Sequence, residues 1–596
     1  MPTSRALTSL SLAALIAVPA GAASARGVTV KTETLTLQVH VGPEQTTTCT
    51  VAADLYRPST ATARTPAPAI LTTNGFGGSK DDQAPAAKAF AQRGYVVLSY
   101  SGLGFGGSSC NIELDSLDWD GRAAAGLISF LGGQRNNGHQ IDYVMRDRVA
   151  HDGVRRPFDA RVGMVGGSYG GEVQFAAAAV DPRLDTIIPM ITWHDLAYSL
   201  APNNRYLGTQ PDASNPGVPK TEWTEAFFAL GMSQPPQHYD STEKPPSTCP
   251  GFDPRVCPAN VTTALRGYPD AETIALLRSA SVATYIDRIR IPTFLAQGQG
   301  DTLFNINEAV ATYRELTARH VPTKLVLHSW GHSHANTTPG EFDLSKPESN
   351  HEGRLVLNWF DHYLKGKRVS TGPAVEYFRD WVSYRGSATP AYASAPSWPV
   401  GRAQPLYLSG SGDLVTSARA VRGGDATFVA PPGGLPASYS ETSAVQEREP
   451  LTGLPPADPP GQYAAFTTTP LAAPADVVGI PTLDLSLVAA ASSDADPATR
   501  PTVFVKAYDV APDGTQTLVW RLVAPVRVDA LGKPLHIYLP GLVHRYATGH
   551  RIRLVVATTD QAYTSSRIPH VLSIVNDPHR PNMLRLPVTT AVRLAS

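Results

Sequence analysis

The stretch Gly166-Gly167-Ser168-Tyr169-Gly170 constrains the fold of this chain more than any other. It reads G-x-S-x-G. Val162-Gly163-Met164-Val165 ahead of it is a short apolar run, as a buried strand would be, and Gly171 to Val180 behind it is Ala-rich and helix-prone. A serine on a tight strand-to-helix turn needs glycine neighbours, because the turn takes strained backbone angles and brings strand and helix close together. Such a turn lifts the hydroxyl clear of the backbone. It also aims the Tyr169 N–H and the start of a helix dipole at whatever oxygen the serine attacks beside.

A serine hydroxyl is a poor nucleophile until a base takes its proton, and the base needs an acid to fix its tautomer. In α/β-hydrolases these follow the serine in the order Asp, then His. Ile291 to Gly298 reads as a buried parallel strand, with Gln299-Gly300-Asp301 at its C-terminal end. Lys324 to Leu327 reads as the next strand, followed by His328-Ser329-Trp330-Gly331-His332-Ser333-His334. Functional groups of open α/β sheets gather beyond the carboxyl ends of strands. The pattern therefore points to Ser168 as nucleophile, His332 as base and Asp301 as the orienting acid. His334 is the alternative base, and His328 falls at the strand end. The same three histidines could chelate zinc, but their strand-end position favours proton transfer.

The chain has 596 residues, enough for two or three domains. A net charge of −1 gives no reason to expect nucleic acid or an anionic membrane surface as partner. Arg5, the apolar run Ala6 to Ala20 and Ala23-Ser24-Ala25 predict a secretory signal peptide over residues 1–25. The run is short for a membrane span, so the expected protein is secreted without stable membrane insertion. Four cysteines fit export. Cys249 and Cys257 are close together in a Pro-rich loop, and Cys49 would then pair with Cys110 by elimination, although four cysteines allow three connectivities. Asp115, Asp118 and Asp120 before Gly121 resemble a calcium loop only loosely, and their carboxylates suit the start of a helix in any case. No metal and no cofactor is expected. A homo-oligomer stays open.

Strand and helix patterns alternate from Pro68 to Thr192, which argues for a parallel sheet with crossover helices. Thr34 to Tyr56 alternates like an edge hairpin. The pattern breaks from Leu200 to about Tyr285, a Pro-rich insertion with helical pieces that reads as a cap over the site. Arg354 to Leu364 is an amphipathic helix that would close the catalytic domain, placed at 26–370. From 371 to 596 short alternating runs and turn signals predict an all-β sandwich, with Pro455 to Pro474 as a Pro/Ala-rich link.

Taken together, these features resemble the Xaa-Pro dipeptidyl-peptidase and cocaine-esterase-like serine hydrolases. The resemblance is carried by Gly166 to Gly171, Gly298 to Asp301, Trp330-Gly331-His332 and Trp359 to Gly366. In the β domain it is carried by Gly479-Ile480-Pro481, Asp509 to Gly514 and Gly549 to Leu554. It implies an α/β-hydrolase domain with an inserted helical cap and a C-terminal jelly-roll, galactose-binding-like domain. It also implies cleavage of a small ester or peptide through an acyl-enzyme. One departure stands out. The family commonly has a tyrosine after the first core strand, whose hydroxyl helps bind the oxyanion. This chain has Asn74-Gly75-Phe76 there. Backbone N–H groups of Tyr169 and of the Phe76 loop are then the expected donors, with the hydroxyls of Tyr169 or Tyr100 as alternatives.

Two substrate classes compete. A dipeptidyl peptidase must hold a free α-ammonium, for which Asp195, Glu222 and Glu225 are candidates. An acyl esterase needs an apolar pocket, for which Trp193, Trp223, Phe227 and Phe228 are candidates. Phe76 in place of tyrosine leans toward esters. The reading from another class is a non-catalytic secreted protein that binds a partner through its jelly-roll.

Overall fold

The computed structural model describes residues 27–234, 249–334, 336–439, 457–490, 496–529 and 531–595. The expected signal peptide over 1–25 lies outside the described residues. The first sheet has ten strands, in the order β1 (Val30–Val41), β2 (Thr47–Pro58), β4 (Val96–Tyr100), β3 (Ala69–Thr73), β5 (Val162–Gly167), β6 (Thr186–Met190), β7 (Thr293–Gly298), β8 (Thr323–His328), β9 (Val375–Phe378) and β10 (Tyr392–Ala395). From β4 across to β9 neighbours are parallel, while β1, β2 and β10 join antiparallel at the two edges.

Central strands such as β3, β4, β6 and β7 are buried along their whole length, as parallel strands covered on both faces must be. One face is covered by α1 (Ala84–Gln92) and by the helix His351–Tyr363, through Phe90, Val356, Trp359 and Phe360. The other face is covered by α2 (Arg122–Leu131), α3 (Tyr169–Val180) and the helix Ile306–Ala318, through Leu127, Val173, Phe175 and Val310. This is an α/β-hydrolase arrangement. The sheet continues past residue 370, because β9 pairs with β8 and β10 with β9. The change of texture expected from residue 371 therefore falls inside the first sheet rather than at its end.

Between β6 and β7 the chain leaves the sheet. It forms α4 (Leu196–Leu200), α5 (Thr221–Met232), α6 (Val256–Arg266), α7 (Ala271–Ser279) and α8 (Val282–Tyr285). α9 (Ile306–Ala318) and α10 (His351–Tyr363) follow. Cys249 bonds to Cys257 within this insertion, and Cys49 bonds to Cys110 beside β2.

Among the described residues the C-terminal part is built from strands with a few short 3-10 turns. Its strands are β11 (Arg402–Leu408), β12 (Leu414–Val415), β13 (Gly424–Ala430), β14 (Tyr463–Thr467), β15 (Ala475–Gly479), β16 (Thr482–Ala490), β17 (Thr502–Val510), β18 (Gln516–Arg527), β19 (Pro534–Tyr538), β20 (Leu542–Tyr546), β21 (Arg551–Ala557), β22 (His570–Asn576) and β23 (Met583–Thr590). β14, β21, β17 and β18 form one sheet and the others a second, and Leu485, Ile537, Val505 and Leu554 from both bury into one core. The stretch Pro455 to Pro474 is more than a link, since β14 lies within it and pairs with β21. This domain is tied to the insertion: the Asn204 N–H donates to Pro525 O at 2.9 Å and the Tyr538 N–H to Asn204 O at 2.7 Å.

Candidate active site

Ser168 stands between β5 and α3 with φ 58° and ψ −124°, a left-handed backbone that a side-chain-bearing residue rarely adopts. Two glycines make the turn possible. A Cβ on Gly170 would stand 2.7 Å from Thr73 O, and one on Gly166 would stand 2.6 Å from Gly170 O. The Ser168 N–H donates to Met190 O at 2.9 Å, which anchors the turn to β6.

Asp301 follows β7 and His332 follows β8, so both reach the same end of the sheet as Ser168. His332 Nε2 lies 2.8 Å from Ser168 Oγ, and His332 Nδ1 lies 2.7 Å from Asp301 Oδ2. A carboxylate accepts only, so Nδ1 carries the proton in the neutral ring and Nε2 is free to accept from the serine hydroxyl. Asp301 is fully buried. Its Oδ2 also accepts from the His332 N–H at 3.1 Å, and its Oδ1 from the N–H groups of Leu303 and Phe304 at 3.0 and 2.9 Å. Phe304 and Trp223 meet the imidazole edge-on, with centroids at 5.0 and 6.1 Å. Hydroxyl, imidazole and carboxylate in this line can move a proton off the serine and hold the resulting imidazolium.

The other two histidines are engaged elsewhere. His328 is buried with Nδ1 3.0 Å from Glu352 Oε2, and His334 lies against Trp520. Among the described residues no three metal-ligating side chains gather.

A cavity of about 140 Å³ opens beside Ser168. Its wall comes from the elbow (Tyr169), from the strand ends (Phe76, Trp193, Phe304) and from the insertion (Leu200, Phe227, Phe228, Phe252, Leu276), and among the described residues no charged side chain belongs to it. Phe76 meets Phe105, Tyr169 and Phe227 edge-on at 5.1, 5.8 and 5.2 Å, which fixes the ring inside an aromatic cluster. Trp193 and Phe227 are on the wall. Trp223 stands one layer behind, stacked on Phe227 at 5.6 Å with its indole N–H donating to Thr302 Oγ1. None of the three carboxylates considered for an ammonium, Asp195, Glu222 and Glu225, is among the described residues of the wall. Asp195 caps α4, accepts from Thr209 and Gln210 and pairs with Arg278, while Glu225 is exposed.

A Cβ on Gly75 would stand 3.8 Å from Ser168 Cβ, so the Gly75–Phe76 peptide passes beside the nucleophile. Tyr169 Oη accepts the Asp115 N–H at 3.0 Å, and Tyr100 is buried next to Asp115 and Asp120. Burial raises the carboxyls of Asp115 and Glu172 well above the usual range and that of Asp120 to about 7.

Sequence reasoning missed Phe252, Phe304 and Leu196 on the wall. It also missed Lys220, whose ammonium is buried and donates to the carbonyls of Thr302 and Leu303 at 2.5 and 2.8 Å. Phe304 had a signal, since it lies three residues after Asp301. Phe252 and Lys220 had none, because distant loops bring them in.

Residues 48–334 match the model of the X-Pro dipeptidyl-peptidase (S15 family). Residues 382–580 match that of the X-Pro dipeptidyl-peptidase C-terminal non-catalytic domain. Together these matches take in most of the chain, which belongs to the X-Pro dipeptidyl-peptidase (S15) family. A Mycobacterium bovis protein provisionally named a serine esterase is 27% identical over 291 residues, and a Mycobacterium tuberculosis protein of the same description matches equally. The match spans 42% of this chain and 43% of those relatives, less than half of their length. Among solved structures, an α-amino acid ester hydrolase superposes with a TM-score of 0.64 at 16% identity, over 97% of this chain and 98% of the other. A CocE/NonD family hydrolase of Staphylococcus aureus superposes with a TM-score of 0.60 at 13% identity, over 94% and 97%. At such identities the likeness is one of fold.

Proposed function

We propose that the protein is a secreted serine hydrolase that cleaves esters of small, neutral, apolar acids through an acyl-enzyme. The observation that carries the acid's character is that the described residues of the cavity wall beside Ser168 are all uncharged. In this reading Ser168 Oγ attacks the ester carbonyl carbon while His332 Nε2 takes its proton. The N–H groups of Tyr169 and Phe76 receive the oxyanion. The carbonyl–oxygen bond to the alcohol breaks, and His332 returns the proton to the leaving alkoxide. Water then attacks the acyl-enzyme by the same route in reverse, and Asp301 holds the imidazole throughout. Two donors without a tyrosine hydroxyl make a weaker hole, since one donor contributes roughly 3 kcal/mol to the barrier. This favours activated esters over amides.

The insertion at about 200–285 serves as the cap that supplies the acyl pocket, and the two β-domain sheets form the jelly-roll. In this reading the catalytic domain keeps β9 and β10, which lie past residue 370 in the first sheet. Two disulfides support an exported protein.

Turnover of a short-chain p-nitrophenyl ester and of Ala-Pro p-nitroanilide, each with a Ser168→Ala control, tests the reading. The ester should be cleaved, the anilide far more slowly, and Ser168→Ala should lose roughly 10⁶-fold in kcat. Anilide turnover at the ester's rate would establish the dipeptidyl-peptidase reading instead. Equal turnover by Ser168→Ala and wild type would remove the assignment of Ser168. Absence of turnover on both substrates by folded wild type would favour the binding protein.

A further inference from the structure

β17 and β18 slip out of register. Lys506 pairs with Val523 and Tyr508 with Leu518, so Ala507 alone faces the residues from Val519 to Leu522. Within this bulge Trp520 and Arg521 take φ of 51° and 54°. Two consecutive left-handed residues with side chains are disfavoured sterically and persist only where surrounding packing over-determines them. Bulges of this kind re-aim a side chain, and they concentrate beside functional sites.

The side chain re-aimed here is the Trp520 indole. It packs at the margin of the β-domain core and reaches across to Gly300, where an added Cβ would stand 3.0 Å from Trp520 Cε3. It meets the His334 ring edge-on, with centroids 6.0 Å apart. Its N–H donates to Val543 O at 3.3 Å, which ties it to β20 behind. Gly300 directly precedes Asp301, and His334 closes the turn of His332 by accepting the Gly331 N–H at 2.9 Å. Inside the site the two loops meet at glycines: a Cβ on Gly298 would stand 2.0 Å from Trp330 O, and one on Gly331 would stand 2.7 Å from Asp301 Cβ. The acid loop thus has the histidine loop on one side and an aromatic ring from another domain on the other.

We propose that Trp520 is a positioning residue for the Asp301–His332 pair, so that the β domain sets the alignment of the proton relay. This rests on the hydrolase reading above. Trp520 is not on the cavity wall. It acts by holding Gly300 and His334.

The test compares Trp520→Ala, Trp520→Phe and Arg585→Ala in the full chain. Arg585→Ala breaks an ion pair with Asp484 within the β domain and serves as the stability control. Two signals are read beside thermal unfolding: kcat and KM on the ester, and the far-downfield proton resonance of the imidazole N–H bonded to Asp301. Trp520→Ala should lower kcat by roughly ten- to a hundredfold, as misplacement of a reacting group by about 1 Å does, with KM little changed. It should also shift or broaden the resonance. Trp520→Phe keeps a ring on Gly300 and should retain most of both, and Arg585→Ala should change neither. If Trp520→Ala does not fold, Gly300→Ala pushes the same ring from the opposite side and is read by the same signals. A folded Trp520→Ala with wild-type kcat and resonance would overturn the proposal. So would equal losses in Arg585→Ala at the same loss of stability. If wild type turns over no ester, the hydrolase reading fails, and the resonance still decides whether Trp520 holds the pair.

Discussion

The uncharged cavity wall makes a quantitative demand on substrate charge. Consider two p-nitrophenyl esters that differ in one substituent on the acyl α-carbon, a methyl in one and an ammonium in the other. In the cavity the ammonium loses hydration and finds no carboxylate among the described residues of the wall. Asp195 is committed to Arg278, Thr209 and Gln210, and Asp301 to His332, Leu303 and Phe304. Burying an ion without a partner costs several kcal/mol. The cavity opens to solvent, so the low end, about 3 kcal/mol, is appropriate. At tenfold per about 1.36 kcal/mol, kcat/KM for the ammonium ester should be lower by roughly a hundredfold or more. The sign with pH follows. An α-amino group loses its proton near pH 7.7–8.0 as a reference, so the penalty is present below that range and vanishes above it. The ratio of the two kcat/KM values, measured by p-nitrophenolate release from pH 6 to 9 after subtraction of spontaneous hydrolysis, should therefore approach one as pH rises. A ratio near one at pH 6, or a preference for the ammonium ester that fades as pH rises, would refute the reasoning and require an acid anchor at the cavity.

The disulfides should differ in weight. Cys49–Cys110 closes a separation of 61 residues and Cys249–Cys257 one of 8, which in the chain-entropy picture is about 4 against 2.5 kcal/mol; serine replacement of each pair, read by urea unfolding, should rank them so, and the reverse order would contradict it. Stability should also fall as pH rises from about 5 to 8. Burial raises the carboxyls of Asp120 to about 7 and of Asp185 and Glu308 to about 8. A raised folded-state value means the native state holds the proton more tightly, so this stability is complete below the usual carboxyl range and is lost as pH climbs through 7 and 8. Asp185→Asn keeps an acceptor for the Val162 N–H and should flatten the decline in melting temperature. An unchanged slope would show that Asp185 does not drive it.

What could be read from the sequence was local. The elbow is announced by glycines that a Cβ would not allow, and the positions of Asp301 and His332 follow from buried runs that end in short polar loops. Periodicity also gave the change from alternating helices and strands to strands alone. It did not show that β9 and β10 complete the first sheet, because pairing partners are set by tertiary contact and not by pattern. Nor did the Pro-rich texture of 455–474 betray β14, whose alternation is only five residues long. The cavity wall was the least legible part. Leu196, Phe252 and Phe304 come from three separated segments, and an apolar residue in a loop reads the same whether it faces a pocket or a core.

The geometry also implies that the acyl pocket and the proton relay are not separable at every position. Asp301 spends one carboxylate oxygen on the imidazole and the other on the N–H groups of Leu303 and Phe304. Phe304 is at once a wall of the cavity and a ring against His332. A change of volume at Phe304 therefore acts on both the acyl group and the base. Lys220 and Trp223 grip the same loop from the insertion through Thr302 and Leu303. The wall carried by α6, through Val256, Ala259 and Thr263, comes from a separate helix. Acyl preference can therefore be altered through α6 while the loop that orients His332 keeps all of its own hydrogen bonds.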